Sequence, residues 1–364
     1  MDQTLYRYSL CMALPLMWFF GFHMLFAPTP GKKIYSSFLR SRRLMGTALL
    51  LLSANYAVHF AFSLRLKDPN ATILLNLATY FLCYWLFSSA MMTLLDNRYL
   101  SRRRTFRHLG LCLAFSAVAC AVGVCGPHGW YRQWGTFALA AGLVVYGLFL
   151  SVRLLRTYRQ ALRMFEDTHS DDIGAYIRWL SVFTYWAIGF GVSCGLLTFL
   201  PDAYVFVWVL SSVPFYVYLY CCYQNYMLFY EKVEDALQED AAPEAADGED
   251  APAYHAEIAR RIQEWISQEG YRRPGLTLNE LAQLLCTNRT YLSEYIHSVY
   301  GTSFRDWISG LRIEYAKAAM EQHPRRKIQQ VSEEAGFLSQ SHFFRTFSEK
   351  EGCSPARWRK SRME

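Results

Sequence analysis

The chain has 364 residues, 53% of them hydrophobic and 16% aromatic, with 37 Lys and Arg against 30 Asp and Glu for a formal net charge of +7. That size allows two or three domains, and its mean hydropathy of +0.05 averages unlike parts: roughly +11 of charge over residues 1–230, −8 over 231–252 and +4 over 253–364. The ten cysteines show no metal-ligand spacing and mostly lie in or beside apolar runs, which excludes a disulfide-framed or zinc-held domain and makes them packing groups. Cys120 and Cys125 form the one pair placed where an oxidising compartment could reach.

Seven apolar runs come first, at about 5–27, 44–66, 71–95, 108–126, 135–154, 176–199 and 203–229. Each approaches or exceeds the roughly 18–20 residues a helix needs to cross about 30 Å of hydrocarbon. The connecting segments alternate in charge. Lys32, Lys33, Arg40, Arg42 and Arg43 fill the first, Arg98, Arg102, Arg103, Arg104 and Arg107 the third, and Arg153, Arg156, Arg159, Arg163 and Arg178 the fifth. The opposite side holds Arg7, then Arg65 and Lys67, then Arg132. Because cationic loops stay cytoplasmic, the expected placement is a bacterial cytoplasmic membrane with the N-terminus outside and the C-terminus inside. Residues 1–30 read as a first span rather than a cleaved leader: Arg7 is offset by Asp2, and Ala27-Pro28-Thr29-Pro30 spoils a small-residue cleavage site.

Within the runs, His23, Asn55, His59, Asn76 and Asn225 are polar groups at membrane depth. They serve either as interhelical hydrogen bonds or as ligand contacts. His59 and Asn76, nearest the outer ends, are the candidate ligand-sensing residues. With no carboxylate in mid-span, a proton relay is not indicated. Pro15 and Pro214 are expected to kink the first and last spans. Residues 231–252 (EKVEDALQEDAAPEAADGEDAP) form an acidic linker, read as disordered beyond its first turns, with a coil span of roughly 25 Å.

From Tyr254 onward the pattern changes to short amphipathic helices. His255–Gln268 places Ile258, Ile262 and Trp265 on one face. Thr277 and Glu280 form a capping box ahead of Leu278, Leu281, Leu284 and Leu285. A short turn at Cys286-Thr287 then leads to Asn288 as N-cap. The helix that follows is expected to bury Leu292, Tyr295, Ile296 and Val299. Its other face carries Arg289, Thr290, Ser293, Glu294 and His297. A long helix near 303–321 carries Phe304, Trp307, Ile308, Leu311, Ile313 and Met320. After it the arrangement recurs: Lys327–Ala335, a Gly336-Phe337 turn, and a helix capped by Ser339. That helix is expected to bury Phe343 and Phe347 and to expose Gln340, Ser341, His342 and Arg345. Ser354-Pro355 starts the last helix in cap-then-proline order. Two helix-turn-helix units joined by a long helix can read successive major grooves about 34 Å apart.

The stretch Leu278–Arg359 resembles the AraC/XylS family of transcriptional regulators. Ala335-Gly336-Phe337-Leu338-Ser339-Gln340-Ser341-His342-Phe343-Phe344-Arg345-Thr346-Phe347 carries most of the resemblance, with Gly352-Cys353-Ser354-Pro355 and Trp358-Arg359. Leu281-Ala282, Tyr291-Leu292-Ser293, Gly301-Thr302-Ser303-Phe304 and Arg312-Ile313 support it. Two positions depart from the family. Ser332 replaces a usual Ala beneath the turn, which should loosen it mildly, and Glu294 stands where a basic or amide residue is frequent.

The resemblance implies that Thr290, Ser293, Glu294 and His297 face one groove and Gln340, Ser341, His342 and Arg345 the next. Chemically, Arg345 suits guanine, Gln340 adenine and Glu294 the cytosine amino group. Arg289, Arg325, Arg326 and Lys327 suit phosphates. No glycine-rich phosphate loop, catalytic triad, paired-carboxylate site or zinc pattern occurs, so neither an enzyme nor a cofactor is expected. His169-Ser170-Asp171-Asp172 reads as an ordinary loop.

The expected architecture is all-α: a seven-helix transmembrane bundle (1–230), the linker (231–252) and an AraC-type DNA-binding domain (253–364). The expected function is a membrane-bound regulator that couples a membrane or extracytoplasmic signal to promoter binding. Its expected partners are double-stranded DNA, the lipid bilayer, RNA polymerase, a second copy of the chain, and a small-molecule or lipid signal of unknown identity. The alternatives are a transporter with a regulatory DNA-binding tail and an anchored factor released by proteolysis within 231–252.

Overall fold

The computed structural model describes residues 3–96, 98–124, 129–197, 199, 204–240 and 252–363. Among these there is no strand; a single isolated antiparallel bridge pairs His169 with Thr277. The chain divides into two compact units, residues 1–159 with 177–234, and residues 160–176 with 235–364.

The first unit is built from long helices. In order they are α1 (Gln3–Phe26), α2 (Ser36–Phe62), the single turn α3 (Leu64–Lys67), α4 (Pro69–Leu95), α5 (Arg102–Val124), α6 (Trp130–Thr168), α7 (Gly174–Leu197) and α8 (Val205–Asp240). Among the described residues six stretches, 4–26, 33–62, 69–95, 102–124, 130–168 and 205–234, are long and apolar enough to cross a membrane by length and composition. The expected span 176–199 runs partly outside the described residues, as do Cys125 and linker residues 241–251.

α2 packs along both α1 and α4. The α1–α2 approach is set by Gly46, where an added Cβ would come within 2.9 Å of the Gly21 carbonyl oxygen; small residues let helix backbones meet this closely. Buried side-chain hydrogen bonds tie the helices together. The Ser41 hydroxyl bonds the Ala90 carbonyl at 2.6 Å and Tyr223 at 2.8 Å, and the Tyr84 and Ser151 hydroxyls pair at 2.7 Å. Large apolar side chains point outward on α5 and α6: Leu113, Phe106, Val145 and Phe149 are all more than half exposed.

Pro15 and Pro214 lie inside the continuous helices α1 and α8. The first ten linker residues, 231–240, are helical as the end of α8. One expectation changes here. α6 runs 14 residues beyond the expected end of its span at 154 because its buried seam continues: Leu154, Tyr158, Ala161 and Phe165 recur at spacings of four and three.

The second unit holds α9 (Pro252–Ser267), a 3-10 turn at Gly270–Arg272, α10 (Leu278–Leu284), α11 (Arg289–Tyr300), α12 (Phe304–Gln322), α13 (Ile328–Glu334), α14 (Gln340–Glu351) and α15 (Pro355–Met363). It has two apolar cores. Ile258, Ile262, Leu281, Leu292, Ile296 and Ile308 belong to the first, and Ile313, Met320, Val331, Phe343, Phe347 and Trp358 to the second. α12 gives its first half to one core and its second half to the other, which makes it the strut both motifs share.

Candidate nucleic-acid interface

The two helix-turn-helix motifs repeat at the level of the backbone. In the first turn the N–H groups of Leu285, Cys286 and Thr287 donate to the carbonyls of Leu281, Gln283 and Ala282. In the second, Ala335, Gly336 and Phe337 donate to Val331, Glu333 and Ser332. Cys286 and Gly336 thus hold equivalent places, both left-handed at φ 52° and 91°. A cysteine is accommodated in the exposed first turn, whereas Gly336 lies against the backbone of Arg272. Carbonyls left over at the ends of α10 and α13 are capped by arginines from outside the motifs. Arg261 donates to Leu285 at 2.8 Å, and Arg272 donates to Glu334 at 2.8 Å.

Both reading helices start on capped N-termini. The Tyr291 N–H donates to Asn288 Oδ1 at 2.7 Å, and the His342 N–H donates to Ser339 Oγ at 3.1 Å. The capping box at Thr277 and Glu280 is complete, with both reciprocal bonds present. Ser332 is fully buried, and its hydroxyl donates to the Gln329 carbonyl at 2.8 Å. The serine that departs from the family pattern is therefore satisfied within its own helix.

On α11, Thr290, Glu294 and His297 are exposed and Arg289 and Ser293 half-buried. On α14, Gln340 and Ser341 are exposed and Arg345 half-buried. Two expectations are corrected. His342 is buried at 6% exposure against Phe337, because its place on the helix turns it toward the second core rather than outward. Val299 and Leu284 are 54% and 58% exposed, although their spacing matches that of buried neighbours. Of the expected phosphate contacts, Arg326 pairs with Glu334 at 2.5 Å, while Arg325 and Lys327 are exposed.

The segment 160–176, whose residues 169–172 are expected to form an ordinary loop, packs in this same unit and meets the reading residues. Asp172 is ion-paired with Arg345 and lies 3.6 Å from Arg305. Glu166 accepts from Arg305 at 3.0 Å, and Asp167 lies 3.2 Å from His297 Nε2. Beneath them Arg312, fully buried on α12, donates to the carbonyls of Tyr271 and Arg273 at 2.8 Å and to the Ser170 hydroxyl at 3.3 Å. The available signal was the acidic cluster 166–172 in an otherwise cationic segment.

Burial alone would raise the Asp172 carboxyl, but the Arg345 guanidinium, with His342 and Arg305 near it, outweighs that and holds it below the ordinary carboxylate range. The His342 imidazole is pushed down to about 4, chiefly by burial, with Arg345, Arg305 and Arg312 adding to the effect against Asp172. A histidine held neutral in the fold and free to charge when unfolded makes the domain lose stability as pH falls from about 6.5 toward 4. The loss is on the order of 3 kcal/mol and levels off below the folded value. His342→Gln should flatten melting temperature against pH across that window; an unchanged slope would remove this account.

A family model described as a helix-turn-helix domain matches residues 281–361. Over 103 residues the chain is 33% identical to the virulence regulon transcriptional activator VirF of Yersinia enterocolitica, covering 28% of this chain and 37% of that protein. It is 40% identical over 75 residues to the HTH-type transcriptional regulator ExsA of Pseudomonas aeruginosa, covering 21% of this chain and 27% of the relative. It is 28% identical over 109 residues to the melibiose operon regulatory protein of Escherichia coli, covering 28% and 35%. The chain therefore spans between about a quarter and a little over a third of the length of these curated relatives. No solved structure matches it. The matched residues, 281–361, are thus a helix-turn-helix domain, and this C-terminal part is what the chain shares with those regulators.

Proposed function

We propose that this chain is a DNA-binding transcriptional regulator of the AraC type, embedded in a membrane through its first unit, and that it couples a signal received there to sequence-specific promoter binding. The observation that carries the reading is the pair of capped helices α11 and α14, following matched turns, in a chain whose α5 and α6 turn large apolar side chains outward. Apolar surface on that scale is a liability in water and fits contact with lipid. The alternating loop charges favour a cytoplasmic position for the DNA reader in this reading. Input and output share one polypeptide, so no phosphotransfer step is needed. Two such chains side by side would present paired readers at high effective concentration.

The first unit offers a place for the input. His59 Nε2 and Asn76 Oδ1 lie 2.8 Å apart between α2 and α4. They line a pocket of about 30 Å³ with Arg65, Thr72 and Tyr6. His59 Nδ1 and Thr72 Oγ1 are buried there with no hydrogen-bond partner among the described residues. Unpaired buried polar atoms are costly, and a small polar ligand would satisfy them.

On the output side, Arg345 and Gln340 are the strongest candidates for base contacts, each worth ~1–3 kcal/mol of discrimination. The full chain should be recovered from alkaline-washed membranes and should enrich particular duplexes from a randomised pool. Replacing Arg345 and Gln340 together by Ala should cut its preference for those duplexes over bulk DNA by about 100-fold. Recovery in the soluble fraction would sink the membrane part of the reading, and undiminished preference in the variant would sink the assigned reading residues.

A further inference from the structure

The 166–172 segment lies far from the DNA-reading motifs in sequence, yet its carboxylates sit on both reading helices. Asp167 pairs with His297 of α11, Asp172 with Arg345 of α14, and Glu166 and Asp172 with Arg305 at the start of α12. Arg345 and His297 are also residues expected to face DNA. The attachment goes deeper than exposed ion pairs. The Ser170 N–H donates to the Leu276 carbonyl at 3.0 Å, and His169 bridges to Thr277, the residue that caps α10. His169 and Ser170 are buried, and the Arg312 guanidinium reaches Ser170 from below. The segment is therefore seated by backbone and buried contacts, with the carboxylates of Glu166, Asp167 and Asp172 turned to His297, Arg305 and Arg345.

We infer that residues 166–172 form an autoinhibitory clamp, whose carboxylates take the places that DNA phosphates and base edges would take against His297, Arg305 and Arg345. This rests on the DNA-binding reading above and adds its regulation. A carboxylate and a phosphate oxygen are interchangeable partners for a guanidinium fork, and Arg345 cannot satisfy both in one geometry. Because the clamp belongs to the same chain, its effective concentration is high, and pairs that would be weak between separate molecules suffice. DNA affinity is then reduced by the fraction of molecules in which the clamp is closed.

The segment also stands where a signal could move it. It is the end of α6 and the turn into α7, with α6 ending at Thr168 and α7 starting at Gly174. A stiff helix transmits a displacement along its length, so a shift of α6 or α7 in the first unit acts directly on the anchored residues. Release would free one residue on each reading helix together, which suits a switch acting on two grooves at once.

The test uses the full chain in lipid nanodiscs and a duplex of roughly 40 base pairs, long enough for two successive grooves, enriched from a randomised pool by the wild-type chain. Glu166→Gln, Asp167→Asn and Asp172→Asn, combined in one variant, should tighten binding at fixed salt by at least about tenfold. A second measurement needs no variant: hydrogen exchange at the Ser170 amide should be slow in the free wild-type chain and speed up when duplex is added. Equal affinity of variant and wild type, or a Ser170 amide that stays protected in the DNA-bound chain, overturns the clamp. If neither chain retains any duplex, the DNA-binding reading itself fails and the clamp falls with it.

Discussion

Gly336→Ala should unfold the second helix-turn-helix motif while leaving the first largely intact. Gly336 has φ +91°, and a Cβ built there would lie 2.3 Å from the Arg272 carbonyl oxygen and 2.7 Å from its carbonyl carbon. Both obstacles are backbone, so no side chain can swing away to make room. A left-handed conformation costs a non-glycine residue of order 1–3 kcal/mol, and forced overpacking adds about 1–3 kcal/mol. The displaced Arg272 would also lose its bond to the Glu334 carbonyl and its stacking over Tyr315, 4.2 Å from the ring centroid. A domain with typical stability of about 5–15 kcal/mol would lose a large part of it. Hydrogen exchange resolved by segment checks this: amides of α13 and α14 should lose protection well before those of α10 and α11. Equal protection in variant and wild type would show that the turn can yield, contrary to the backbone clash.

Arg312→Ala should cost about 3–5 kcal/mol, the range for removing one member of a buried charged network. The guanidinium is fully buried and serves three separate stretches of chain. It bonds the carbonyls of Tyr271 and Arg273, it reaches Ser170 and lies 3.6 Å from Asp171, and its carbon sits 5.7 Å from the centroid of the Phe337 ring. Truncation leaves two inward-facing carbonyls without their donor in a space that alanine cannot fill. Arg312→Lys should fall between wild type and alanine, since an ammonium keeps the charge but lacks the planar fork that serves several acceptors at once. Urea unfolding of the second unit gives the ranking. Exchange at Ser170 gives an independent reading, because the segment should loosen in both variants. A lysine variant as stable as wild type would mean that charge alone, and not the fork, holds the junction.

Much of the second unit was legible because its signals are local. Thr277 with Glu280, Asn288, Ser339 and Ser354 each mark a helix start with a side chain that reaches only three residues ahead, and all four lie where the sequence puts them. Residues whose fate depends on packing were less legible. His342 shares a helix with exposed Gln340 and Ser341 but turns into the core, while Val299 and Leu284 have core spacing and stay exposed. Periodicity assigns a helix face to within a residue or so, and burial at the edge of that face depends on what the neighbouring helix presents. The extension of α6 to Thr168 was readable in principle from the Leu154, Tyr158, Ala161 and Phe165 seam. It was masked by the density of arginines in the same stretch, which reads as a loop on the membrane side.

By itself the sequence determined the repeated helix-turn-helix units and the helix caps, along with the long apolar runs of the first 230 residues. Each depends on residues within a few positions of one another, or on hydrophobic runs long enough to need no partner. Only the tertiary structure decided what Asp172 does. A carboxylate at position 172 and a guanidinium at 345 are separated by 173 positions, and no local pattern can announce their meeting. Their pairing exists because α12 and the buried fork of Arg312 bring the 166–172 segment against both reading helices. Ion pairs of this kind are decided by geometry at a few ångströms, a scale at which the order of residues along the chain carries no information.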